Sequence, residues 1–170
     1  MATNLQLAWA VPKTPDLDVK DFALELLEGA KENLQRDGEL VSAAFVITSD
    51  QLQCYFIKFR DQDEKTTAYS NLVKAAQIAN ASALVTCNDA YWKDKADRQY
   101  LEGYYPGKLA VEGAKECIMV TVSGPLIETW CVEVPYQRSK EGIKFGAHAE
   151  SFGEQIGFLE GWSAGKPRIN

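Results

Sequence analysis

Residues 18–59 read DVKDFALELLEGAKENLQRDGELVSAAFVITSDQLQCYFIKF, and their pattern decides the fold class. Asp18 carries the short acceptor side chain that caps a helix N-terminus. Val19, Phe22, Ala23, Leu26, Leu27, Ala30 and Leu34 then recur at three- and four-residue steps, which is one apolar stripe on an amphipathic helix. Asp21, Glu25, Glu28, Lys31 and Glu32 take the opposite face. Gly38 is placed for the left-handed C-cap conformation, which a residue without Cβ adopts at no steric cost. Beyond it the pattern changes. Leu40 to Thr48 is a run of small and β-branched residues, Ser49-Asp50-Gln51 is a turn, and Leu52 to Phe59 is a second strand. Tyr55, Ile57 and Phe59 share one face of that strand and Cys54 and Phe56 the other, so both faces expect cover.

Working outward, Asp61 to Glu64 has the spacing of a second helix start with an acidic first turn. Tyr69, Leu72, Val73, Ala76 and Ala79 form its stripe, to about Asn80. Ala83 to Cys87 is a short apolar strand; its strand–helix–strand connection favours parallel pairing, with an antiparallel arrangement as the alternative. Cys117 to Ser123 and Leu126 to Val134 flank the Gly124-Pro125 turn, with Pro135 closing the second strand. Gly142 to Gly146 adds a short edge strand. Residues 1–16 read as irregular, with Trp9 packing back onto the domain. Residues 88–115 read as a long aromatic and polar loop, and 148–170 as a C-terminal packing segment. The predicted fold class is α+β over a single domain, 1–170. Its sheet is mixed or mainly antiparallel, with about five or six strands and two main helices in the order α-β-β-α-β-β-β. Leu26, Phe45, Leu72 and Val120 are expected in the core.

The stretch 26–48, LLEGAKENLQRDGELVSAAFVIT, resembles a block of small uncharacterised bacterial proteins. In these the same layout continues through a hairpin, a helix and a strand ending near an alanine–tryptophan-like pair, here Ala90-Tyr91-Trp92. A VTVSGP-like strand and turn follows, here Val120 to Pro125. The resemblance covers about two thirds of the chain and implies no activity. The element order is also similar to that of the roadblock, longin and profilin-like scaffolds, an analogy of order alone.

The composition narrows the chemistry. Eighteen basic and 24 acidic residues give a net charge of −6, which repels nucleic acid, and no basic patch is visible along the chain. The longest apolar run, Ala43 to Ile47, is too short to span a bilayer. Met1-Ala2-Thr3-Asn4 lacks the features of a signal peptide, so the expectation is a cytoplasmic protein with no membrane partner. Cys54, Cys87, Cys117 and Cys131 are all far apart in sequence, and no paired Cys or His spacing announces a zinc site, so no metal and no cofactor is expected. The helix–hairpin–helix–strand order occurs in cytidine-deaminase-like and JAB/MPN metalloprotease folds, but the H-x-E and P-C-x-x-C strings of the deaminases are absent. The single histidine, His148, precedes Glu150 and Ser151, and sequence neighbours do not make a triad. Cys87 ends a strand beside a polar segment and is the other weak catalytic candidate; core packing outweighs catalysis for it. Tyr91, Trp92, Tyr100, Tyr104 and Tyr105 are residue types favoured at interfaces, and equally those that pin a loop to its own domain. The reading is therefore a non-catalytic interaction or regulatory module, expected as a homodimer with a possible protein partner. The alternatives are a small hydrolase or thiol enzyme using Cys87 or His148, and a small-molecule-binding domain with the 88–115 loop as lid.

Overall fold

Two capped helices and eight strands follow from local signals of unequal strength. The computed structural model describes residues 5–92 and 115–152. Helix α1, Val19–Asp37, starts where Asp18 accepts the Asp21 N–H at 2.9 Å. It ends where Gly38, at φ 78°, donates its N–H to the Leu34 carbonyl. Helix α2, Gln62–Ile78, starts in the same way: Asp61 accepts the Glu64 N–H at 2.8 Å. Glu64 reaches back to accept the Arg60 N–H at 2.6 Å, one residue before the cap.

The strands are β1 Leu5–Pro12, β2 Ala43–Ile47, β3 Gln51–Ile57, β4 Ala83–Trp92, β5 Lys115–Gly124, β6 Ile127–Ser139, β7 Gly142–Phe145 and β8 Ala149–Phe152. They form one open sheet in the order β1-β3-β2-β4-β5-β6-β7, with β8 also paired to β6. Every pairing among them is antiparallel. The fold is thus α+β with two helices, and the described sheet is larger than the five or six strands expected.

Four differences from the sequence reading have physical causes. Residues 5–12 are not irregular: β1 lies on the outer edge of β3, and a bulge between Leu7 and Trp9 shifts its register. Before the bulge Leu5 and Leu7 oppose Ile57 and Tyr55; after it Trp9 and Val11 oppose Cys54 and Leu52, on the other face. The β4 strand does not pair in parallel. It runs alongside β2, because β2 already occupies the place next to β3 and offers its free edge. The segment 88–115 is not all loop: β4 continues through Trp92 along β5, with Asn88, Asp89 and Ala90 paired to Met119, Ile118 and Cys117. Pro135 does not close β6. Its carbonyl accepts the Gly146 N–H at 2.8 Å, so its missing N–H falls on the side of the β7–β8 link, where no ladder bond is lost.

The two helices cover opposite faces. On one, Ala23, Leu27, Ala30 and Leu34 of α1 pack on Val85, Ile118, Val120, Val132 and their neighbours. On the other, Ala68, Tyr69, Leu72, Val73 and Ala76 of α2 pack on Ala44, Val46, Ile57 and Leu84. Alternate residues of β2 therefore serve different cores, as the two-residue side-chain period requires. Phe45, Leu72 and Val120 are buried as expected. Leu26 is only partly buried; Leu27 takes the fully buried place on α1.

Candidate binding groove

Helix α1 rests mainly on β5, with β4 and β7 beside it. That leaning leaves the same face of β1, β3 and β2 without a helix over it among the described residues. The result is a groove of about 610 Å³ between the flank of α1 and the first half of the sheet. Its floor is Phe45, Cys54, Phe56 and Cys87, its helical wall Phe22, Leu26 and Gly29, and its far wall Trp9 of β1. Phe45 packs edge-on to Phe22 at 5.2 Å and tilted to Trp9 at 6.0 Å between ring centroids, which joins floor to both walls. Trp9, Phe56 and Val41 remain 42%, 38% and 57% exposed. That is a contiguous apolar surface rather than scattered single residues. The rim is polar: Glu25, Asn33, Arg36, Asp37 and Glu39.

Gly29 is the informative wall residue. It sits in the middle of α1, where glycine weakens a helix by roughly 1 kcal/mol relative to alanine. A Cβ built there meets nothing within 4 Å. No close packing demands a glycine at that position, so its effect is to keep the helical wall of the groove low.

The two catalytic candidates are not brought together. Cys87 lies mid-strand in β4, 5% exposed, paired with Ala43 on one side and Val120 on the other. His148 is exposed in the link between β7 and β8. Strands β5 and β6 separate them, three strand spacings or roughly 14 Å. Burial, with the Asp89 charge adding to it, pushes the Cys87 thiol up to about 12. Burial likewise raises Cys117 to about 12 and Cys54 and Cys131 to about 11. An activated nucleophile needs the opposite shift. Among the described residues no group of three or more His, Cys, Asp or Glu is arranged to hold a metal ion.

Tyr91 and Trp92 form the end of β4, opposite Glu116 and Lys115. Tyr100, Tyr104 and Tyr105 lie outside the described residues. Sequence reasoning missed Trp9, Phe56 and Gly29 as groove residues; the one signal it held was a glycine inside an otherwise regular amphipathic helix. It also missed Lys65, whose ammonium is held below its ordinary value by burial, with the Asp89 carboxylate opposing. Among the described residues no helix is long and apolar enough to cross a membrane. Comparison with protein-family models, with curated proteins and with solved structures found no match.

Proposed function

We propose that the protein is a non-catalytic binding module and that the groove beside α1 is where it binds. The observation that carries this reading is the groove itself: an aromatic floor, a polar rim and a volume within the range of small-ligand sites. The chemistry of its floor supports binding rather than turnover, because the two thiols there, Cys54 and Cys87, are buried and held protonated. Protein-observed NMR with a set of neutral aromatic fragments tests it. The expected result is a set of saturable shifts confined to Trp9, Leu26, Gly29, Val41 and Phe56. Shifts centred elsewhere, or none with any fragment, would overturn the assignment.

A second reading, self-association through the sheet edge, is favoured by β1. Its eight residues, LQLAWAVP, carry no charge, and Leu7 and Val11 are 53% and 43% exposed. Edge strands are normally guarded by charge, proline, bulges or cover, and among the described residues the guards here are the bulge at Leu7–Trp9 and Pro12 at the end. Pairing with a second copy of β1 continues the sheet across a two-fold axis. Sedimentation at micromolar concentration should give twice 18.9 kDa, and Leu7→Lys should return it to the monomer mass. A monomer mass across the accessible concentration range removes this reading.

A further inference from the structure

We infer that the groove selects an organic cation, a protonated amine carried on an aromatic or alkyl body; this rests on the groove being the binding site. Charge is placed unevenly around an apolar slot. Four charged side chains line the rim: Glu25, Arg36, Asp37 and Glu39. The guanidinium of Arg36 is already engaged. Its Nε meets the Asp37 carboxylate at 2.9 Å, and its Nη2 donates to Asn33 Oδ1 at 3.0 Å. Its single charge is therefore offset by Asp37. Glu25 and Glu39 have no ion-pair partner among the described residues. Among the described residues the rim thus holds two uncompensated carboxylates and no free cation.

The floor agrees with the rim. Trp9, Phe45 and Phe56 present ring faces or edges to the slot, and aromatic faces attract cations as well as burying apolar bodies. The carboxylates stand at opposite ends. Glu25 is on the second turn of α1 and Glu39 is just past its C-cap, and the twelve residues from 25 to 37 span about 18 Å of helix. A cation entering from either end meets a carboxylate first and aromatic surface next. An anion of the same shape meets repulsion at both ends.

The test uses the whole chain and three probes that share one ring: 2-(1-naphthyl)ethylammonium, 2-(1-naphthyl)ethanol and 1-naphthylacetate. Calorimetric titration at low ionic strength should rank them cation, neutral, anion, with about a tenfold gap between the extremes. In the double variant Glu25→Gln/Glu39→Gln the gap should close while the neutral probe binds as before. Gly29→Leu fills the slot from a position with open space and a favourable change in helix propensity, so it should melt no lower than the parent and lose all three probes.

Each outcome has a meaning. If the three probes bind alike and Gly29→Leu abolishes all of them, the groove is the site and the cation inference falls. A cation preference that survives the double variant also overturns it, because the net charge of −6 then accounts for the ranking. If no probe binds, or Gly29→Leu changes nothing, the binding-module reading itself falls.

Discussion

Leu72→Ala should lower the unfolding free energy by about 2–5 kcal/mol. Leu72 is fully buried at the centre of the smaller of the two cores, between α2 and strands β2, β3 and β4. On the α2 stripe Leu72 packs with the larger Tyr69 and Val73 and the small Ala68 and Ala76 against Ala44, Val46, Ile57 and Leu84. Removing its branched end leaves a cavity that these neighbours close only in part. Leu26→Ala is the control. Leu26 is part exposed to the groove, and its truncation should cost clearly less. Urea titration of both variants measures the difference. A loss below about 1 kcal/mol for Leu72→Ala would show that α2 does not seat on the sheet as described.

Gly124→Ala should be destabilising by about 1–3 kcal/mol, the range expected when a well-packed site is overfilled. A Cβ at Gly124 falls 2.5 Å from the Ser82 carbonyl oxygen and 2.9 Å from Ile127 Cγ1. The first of these is backbone and is not free to move. Ser82 donates both its N–H and its hydroxyl to the Ile47 carbonyl, which ties it to the end of β2. Relief therefore requires the irregular register at Val122–Gly124 to shift against β6. The identical change at Gly29 should act in the opposite direction, raising stability by up to about 1 kcal/mol, since that Cβ has open space and the helix gains. Thermal melts of the two variants side by side check both signs. A neutral Gly124→Ala would mean that the β5–β6 turn is looser than its contacts imply.

Features decided within a few residues were legible in the sequence. Asp18, Asp61 and Gly38 cap as read, because a cap is a contact between a side chain or N–H and a backbone group three or four residues away. The stripes of both helices were legible for the same reason, although Ala79 proved to be the C-cap of α2 and Ala68 joins the stripe in its place. Features decided by distant partners were not. A terminal proline and a bulge hide the strand character of residues 5–12, whose partner β3 lies about 45 residues on. Asn88, Asp89 and Ala90 are poor strand formers and read as loop; they are held extended by the ladder to β5 across the hairpin they begin. The groove arises from where α1 settles on the sheet, a tertiary fact with no local pattern. Of the candidate residues, Cys87 proved to lie on the groove floor, placed there by the register of β4 between β2 and β5.

The position of β1 sets a hierarchy of local stability across the sheet. Interior strands are zipped on both sides and open only when much of the domain opens with them. By contrast, among the described residues β1 is zipped to β3 alone, its register is broken by a bulge, and Leu7, Trp9 and Val11 remain about half exposed. Such a segment detaches at a fraction of the global unfolding free energy and forms its own cooperative unit. Trp9 leaves with it, and the groove loses its far wall, while the fully buried residues of both cores, none of them on β1, stay in place. The free energy of that peeling motion then enters the affinity of anything that rests on Trp9. A ligand must hold the strand down as well as fit the slot, and a second chain clamped on the outer edge of β1 would tighten the same site from a distance.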